Sequence, residues 1–144
     1  MGAWGMGTFE NDAAGDWVFG LEASRDKSLV LATLQAAKDS DDPFFDEGSE
    51  ALAAAEVVLA ATTGDRGRVP EEVSAWLDRR YGLLKKRTVT FDAADARLAV
   101  GAVSSVMKSS ALRDSWEEVP EFDAWLEATG ELRQSLEACS GSMD

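Results

Sequence analysis

Carboxylates dominate the side chains of this sequence that could carry chemistry. The chain has 27 Asp and Glu residues but no histidine and a single cysteine, Cys139. Histidine is the usual general base near neutral pH and the commonest zinc ligand, so its absence excludes Ser-His-Asp and Cys-His catalysis. One cysteine can form neither an internal disulfide nor a thiolate metal cage, which fits a reducing compartment. The enzymatic alternative that we consider is therefore a carboxylate-based hydrolase that needs Mg²⁺.

Glu56 is the carboxylate with the most unusual setting. It is the only charged residue between Ala51 and Thr63, a stretch with the composition of a buried helix. A carboxylate on such an apolar surface needs hydrogen-bond donors or must stay near an edge. At helical spacing its neighbours are all apolar, namely Leu52, Ala53, Leu59 and Ala60.

Two roles for Glu56 stay open. In the structural role, the indole of Trp4 or the backbone amides of residues 5–7 hydrogen-bond Glu56 and hold the N-terminal tail. In the functional role, Glu56 is a catalytic acid with a raised pKa, paired with Asp12 or Asp16. We expect the structural role, because burial beside a structural partner is the more frequent cause of such a shift. No residue is assigned a catalytic role.

Asp12 and Asp16 also have a structural explanation. Asn11 or Asp12 can cap a first helix, whose apolar residues Ala14, Trp17, Val18 and Leu21 follow the helical period. Carboxylates near a helix N-terminus are favoured by its partial positive charge. The candidate binding residues, which we expect to serve the fold, are Trp4, Asn11, Asp12, Asp16 and Glu56.

The acidic segment between Asp39 and Glu50 could hold a hard cation. An EF-hand register that starts at Asp39 places Glu50 at position twelve, but Phe44 stands where glycine is required and Pro43 replaces a ligand. That register fails. A looser Ca²⁺ or Mg²⁺ site stays an alternative to a solvated acidic loop, and we predict no metal and no cofactor.

The segment MGAWGMGTFENDAAGDW is rich in glycine and tryptophan. Glycines 5 and 7 suggest a dinucleotide loop, but Glu10 occupies the third glycine position, which argues against one. Glycine allows close backbone approach, and Trp4 and Phe9 need apolar cover. We therefore predict that this tail packs on a central Ala-rich helix.

Helical periodicity and turn signals predict an all-α single domain, residues 1–144, with about six helices. It comprises an N-terminal motif at 2–17 and a frayed tail at 140–144. Phe44 and Phe45 are expected to face the core, and residues 83–91 to form a linker or hairpin arm. The first predicted helix begins at Asn11 or Asp12, and the second spans Ser28 to Lys38. Ser49 or Asp46 starts the third helix, which runs from about Glu50 to Thr63 with a left-handed end at Gly64. The fourth spans Pro70 to Gly82, the fifth begins after Asp92 with SSALRDSW as a continuation or kink, and the sixth begins at Pro120.

The N-terminal segment resembles the bacterial family called domain of unknown function 4259. Its pattern GAWGxGxFxNDxAxDW is matched by residues 2–17, and the likeness extends through GSEALAAAEVV and the helix starts near Val69 and Val119. Met6 is a mild departure, since the family has a small residue such as Thr at that position. The resemblance covers nearly the whole chain. It implies a fold and a size, and it implies neither substrate nor mechanism.

The net charge of −13 constrains partners. It argues against nucleic acid and anionic lipid, and the longest uncharged apolar run is too short to span a membrane. A basic cluster, Arg79, Arg80, Lys85, Lys86 and Arg87, could dock an acidic segment. We therefore expect a cytoplasmic, non-catalytic protein-interaction module with an unidentified protein partner. The alternatives are an immunity or antitoxin-like protein that binds a basic partner, the Mg²⁺-dependent hydrolase, and, for the assembly, a homodimer.

Overall fold

The computed structural model of the chain describes residues 8–81, 86–87 and 89–141. Within these ranges the regular secondary structure is helical apart from one short pair of strands. The elements are α1 (Asp12–Ala23), α2 (Ser28–Asp39), α3 (Phe45–Thr63), α4 (Glu71–Asp78), β1 (Arg80–Tyr81), β2 (Lys86–Arg87), α5 (Ala93–Lys108), α6 (Ala111–Glu117) and α7 (Phe122–Cys139).

Helix α3 is the centre of the bundle. Every residue from Ala51 to Ala60 is buried, and α3 packs against α1, α2, α5, α6 and α7. A helix that is apolar on all sides must be covered on all sides, and its many alanines let neighbouring helices approach closely. The prediction of a central Ala-rich helix is therefore confirmed, and the all-α class with it.

The start of α1 follows the capping chemistry that the sequence predicts. Asn11 is the N-cap, and its Oδ1 accepts a hydrogen bond from the Ala14 amide at 2.8 Å. Its Nδ2 also donates to the Thr8 carbonyl at 3.4 Å. The predicted buried stripe is confirmed at all four positions, Ala14, Trp17, Val18 and Leu21.

Three polar contacts fix α1 against its neighbours. The Trp17 indole donates to Thr33 Oγ1 on α2 at 2.9 Å, and the Trp76 indole of α4 donates to the Ser24 carbonyl at 2.9 Å. Arg79 Nη1 donates to the Glu22 carbonyl at 2.8 Å. The middle and the C-terminal end of α1 are therefore tied to the rest of the bundle.

The structure has seven helices in its described part, where the sequence predicts about six. The chain leaves α5 at Ser109 in an extended conformation, and Ser110 caps a new helix by accepting from the Arg113 amide at 2.9 Å. The segment SSALRDSW is therefore neither a continuation nor a simple kink of α5, because a serine cap starts α6 independently.

Helix α3 begins earlier than predicted, and one of the two phenylalanines at its start is exposed. The Glu47 carboxylate accepts from the Phe44 amide at 3.0 Å, and the helix starts at Phe45, one residue before Asp46, the earlier of the two predicted starts. Pro43 is buried and Phe45 is partly buried, whereas Phe44 is 74 % exposed. Successive side chains of extended backbone point to opposite sides, so Phe44 faces away from the core.

Helix α4 ends at Asp78 instead of at Gly82, because the chain turns extended at Arg79. The two-residue strands β1 and β2 then pair antiparallel, with Arg80 opposite Arg87 and Tyr81 opposite Lys86. A short hairpin arm is one of the two alternatives that the sequence left for this segment. Apart from Arg79, the side chains of the predicted basic cluster lie outside the described residues.

The two predicted terminal segments, the N-terminal Gly/Trp tail and the C-terminal tail, lie partly outside the described residues. The Gly/Trp tail up to residue 7, which includes Trp4, lies outside them. Of the predicted tail at 140–144, Ser140 and Gly141 are described, and the Ser140 carbonyl accepts from Arg97 Nη1 at 2.8 Å.

Substitution of Asn11 should measure how much the N-cap of α1 contributes to the stability of the protein. We expect Asn11→Ala to lower the free energy of unfolding by about 1 kcal/mol, because it removes the acceptor for the Ala14 amide. Asn11→Ser keeps a capping oxygen and should retain most of the stability. Urea denaturation of both variants provides the comparison, and an Asn11→Ala variant as stable as the wild type would contradict the capping role.

Candidate functional site

The most unusual side-chain arrangement of the bundle is an ion pair between Glu56 and Arg68. Glu56 lies in the middle of α3, and Arg68 lies in the loop between α3 and α4. Glu56 Oε2 accepts from Arg68 Nη2 at 2.7 Å and from Arg68 Nε at 3.1 Å. Thr8 Oγ1 donates to the same oxygen at 3.1 Å. Three donors therefore converge on a single carboxylate oxygen.

The two partners of this pair differ sharply in burial. The Glu56 side chain is 2 % exposed, whereas the Arg68 side chain is 44 % exposed. Burial raises the pKa of Glu56 above its usual value, and the charge and hydrogen bonds of Arg68 and the hydroxyl of Thr8 oppose that rise. Arg68 is therefore a half-exposed partner that supplies the charge and the hydrogen-bond donors that the buried carboxylate requires.

The second oxygen of Glu56 differs from the first in that no described residue satisfies it. Oε1 is buried and has no hydrogen-bond partner among the described residues. Buried polar atoms without partners are rare in folded proteins and call for an explanation. The same holds for Ser49 Oγ, about two turns earlier on α3, which is also buried and unpartnered within the described part of the chain.

Two cavities flank the ion pair. The first, which we name the tryptophan-lined cavity, has a volume of about 210 Å³ and includes Thr8, Asn11, Ser49 and Arg68 in its wall. Its apolar side is formed by α6 and α7 together with α3, through Leu52, Leu112, Trp116, Trp125 and Leu132. The second, the Glu56 cavity, has a volume of about 220 Å³ and is lined by Glu56, Thr63, Asp65, Arg68, Val69 and Ser135 among others.

A third depression lies between α1 and the start of α4, and we name it the α1–α4 groove. Its volume is about 220 Å³, and its walls combine Phe9, Val18, Phe19 and Pro70 with the carboxylates Glu22 and Glu72. Phe19 is 77 % exposed, which is unusual for an aromatic side chain on a helix.

Four of the five predicted site residues, Asn11, Asp12, Asp16 and Glu56, are described by the structure. Asn11 is buried and lines the tryptophan-lined cavity. Asp12 and Asp16 are exposed on α1, and neither is among the described hydrogen-bond partners of Glu56. Trp4 lies outside the described residues. The structure therefore links Asn11 to Glu56 through Thr8, and no hydrogen bond of the described residues joins Glu56 to Asp12 or Asp16.

Arg68 and Thr8 were not among the predicted site residues. A lone glutamate in an apolar helix requires donors, and the turn GDRGR that follows α3 offers two arginines. That signal was available. The arginine that pairs with Glu56 is Arg68, whereas Arg66 donates to Asp78 at 2.9 Å and to Ser74.

Two carboxylates of the acidic segment between Asp39 and Glu50 accept separate hydrogen bonds, one from within α2 and one from the end of α5. Asp39 accepts from Gln35, and Asp42 accepts from Ser109. Partial burial, together with the nearby charges of Asp46 and Glu47, raises the pKa of Glu50. Within residues 8–81, 86–87 and 89–141, no three Asp, Glu, His or Cys side chains are grouped as a metal ion would require.

Substitutions of the ion pair should have unequal and pH-dependent effects. We expect Arg68→Ala to cost about 3 kcal/mol of unfolding free energy at neutral pH, because it leaves a buried carboxylate without its counter-charge. Glu56→Gln should cost less than about 1 kcal/mol, since it leaves only a half-exposed cation that water can solvate.

The pH dependence follows from the raised pKa of Glu56. The folded state favours the protonated carboxyl, so this group stabilises folding at low pH and loses that contribution as the pH rises through its pKa. The cost of Arg68→Ala should therefore shrink as the pH falls, and Glu56→Gln should suppress it in the double variant. Urea denaturation across pH measures both effects, and a cost that is independent of pH and of residue 56 would contradict the assignment.

Comparison with known proteins identifies the family. None of the helices in the described ranges is long and apolar enough to cross a membrane. No curated protein and no solved structure matches the chain. Residues 2–128 match the family model described as Domain of unknown function (DUF4259). Because this match covers most of the chain, the protein belongs to the domain of unknown function 4259 family.

Proposed function

We propose that this protein is a non-catalytic interaction module that binds a partner protein in the α1–α4 groove. The partner segment that fits is one that combines an apolar side chain with flanking Lys or Arg residues. The observation that carries the proposal is Phe19, which is 77 % exposed on the wall of an apolar groove.

The apolar part of the groove supports an aromatic or aliphatic contact. Phe19 and Val18 come from α1, Pro70 precedes α4, and Phe9 lies just before α1. Aromatic side chains in such positions contribute much of the affinity of protein interfaces. The other strongly exposed phenylalanine, Phe44, lines none of the three cavities described above.

The charge around the groove supports a basic partner. Glu22 and Glu72 lie in its wall, and exposed Asp16 precedes Phe19 by one helical turn. No Lys or Arg occurs among residues 1–24. In a chain of net charge −13, these carboxylates attract and orient a cationic segment.

The alternatives from the sequence differ in how well they fit these observations. An immunity or antitoxin-like role is a special case of the proposal, in which the basic partner is an enzyme that binding inactivates. The hydrolase requires convergent carboxylates, whereas Glu56 is held by Arg68 and both carboxylates offered as its catalytic partners lie exposed on α1. Nucleic acid and membrane surfaces are disfavoured by the charge. A cytoplasmic location, consistent with the single cysteine, completes the proposal.

Defined peptides test this proposal. We expect a labelled peptide of Lys, Arg, Phe and Leu to bind, and versions with Glu in place of the cations or Ser in place of the apolar residues not to bind. Binding should weaken as salt is raised. Fluorescence anisotropy measures the affinity, and amide chemical-shift changes locate the site on α1 and α4.

Matched phenylalanine variants provide the control. Phe19→Ser should weaken binding by about tenfold or more, because it removes the central apolar contact. Phe44→Ser removes an equally exposed phenylalanine elsewhere and should leave the affinity unchanged. Equal losses in both variants, or binding that maps outside α1 and α4, would refute the groove as the docking site.

A further inference from the structure

The tryptophan-lined cavity has the size and the wall of a site for a small aromatic molecule. Its volume of about 210 Å³ exceeds the roughly 150 Å³ of an engineered apolar cavity that binds benzene. The rings of Trp116 and Trp125 in its wall are nearly parallel, with their centroids 6.2 Å apart and 12° between the planes. Small-molecule sites are typically concave, with apolar and aromatic walls and a few polar groups, and a further ring can pack on the tryptophans.

One polar group in this wall is available to a ligand. Ser49 is 1 % exposed, and its Oγ has no hydrogen-bond partner in the described part of the chain. A hydroxyl oxygen accepts hydrogen bonds, so an N–H or O–H group on a ligand would satisfy it. A buried oxygen without such a donor carries a desolvation cost, which favours a ligand that has one over a ligand of the same shape that lacks it.

The charge in the wall favours a neutral ligand. Among the described residues that line the cavity, Arg68 is the only charged one, and its charge is balanced by Glu56. A charged ligand would add an uncompensated charge beside this pair, away from water. Ser49 and Glu56 are seven residues apart on α3, about 10 Å along the helix axis, which leaves room for two fused rings between the hydroxyl and the ion pair.

We propose that the tryptophan-lined cavity binds a neutral aromatic molecule of one or two rings whose N–H or O–H group donates a hydrogen bond to Ser49. This site goes beyond the proposed interaction with a partner protein. Its described lining residues are all different from those of the α1–α4 groove, so either site can exist without the other.

A pair of matched ring compounds tests the hydrogen bond. We expect indole to bind the wild type at millimolar concentration, and indene, which has the same two-ring shape without the N–H group, to bind about fivefold more weakly. Ser49→Ala should weaken the binding of indole about fivefold and leave that of indene unchanged. Isothermal titration calorimetry measures the four affinities. Failure of indole to bind, or equal affinities for the two compounds, would overturn the proposal.

A pair of matched variants on α7 tests the cavity. Ala128 lies in its wall, so the larger side chain of Ala128→Leu should reduce the affinity for indole at least tenfold. Ala124 is exposed one turn earlier on the same helix and lines none of the three cavities. Ala124→Leu should therefore leave the affinity unchanged, as should Phe19→Ser in the α1–α4 groove. Equal affinities in Ala128→Leu and Ala124→Leu would contradict binding in this cavity.

A mapping experiment on the wild type covers the case in which a variant does not fold. With labelled leucine methyl groups, bound indole should show nuclear Overhauser contacts to Leu112 and Leu132, which line the cavity. Contacts confined to leucines outside the cavity, such as Leu21 and Leu34, would overturn the proposal even if indole binds.

Discussion

A charged group in the middle of an otherwise apolar helix is the constraint on which the rest of the arrangement depends. Glu56 lies in a run of ten buried residues on α3, and its charge is compensated by Arg68 and Thr8. Neither partner belongs to the bundle's helices. The ion pair therefore attaches the loop after α3 and the segment before α1 to the central helix. An apolar residue at position 56 would give neither segment a directional contact, even where it packed equally well.

The rest of the core explains why this attachment matters. Helix α3 is surrounded by five other helices, so its side chains already have most of their apolar contacts. Thr8 and the loop after α3 line two cavities beside this helix. Small side chains dominate α3, and they allow close helix packing but make no directional contact with a loop. A buried carboxylate makes such a contact, because leaving it unpaired costs more free energy than the loss of a single apolar contact there would.

Sequence periodicity predicted the elements better than it predicted their junctions. The stripe of α1, the cap of α5 by Asp92 and the left-handed end of α3 at Gly64 follow from local chemistry, and all are present. The independent start of α6 depends on whether Ser110 caps or continues a helix, and both are compatible with the sequence. For the site, Glu56 could be identified because its helical neighbours are apolar. Arg68 could not be chosen over Arg66, since the path of a loop depends on tertiary contacts and not on spacing.

The same contacts that fix the interior also determine what α1 can offer to a partner. Its start is capped by Asn11 and joined through Thr8 to Glu56, and its end is held by Trp76 and Arg79. A helix tied at both ends loses little further conformational entropy when its exposed face binds, so more of the contact energy is expressed as affinity. The buried Glu56 and the exposed Phe19 are connected in this sense through α1. The Thr8 contact with Glu56 helps to fix the start of α1, and Phe19 is a side chain that the fixed helix presents to solvent.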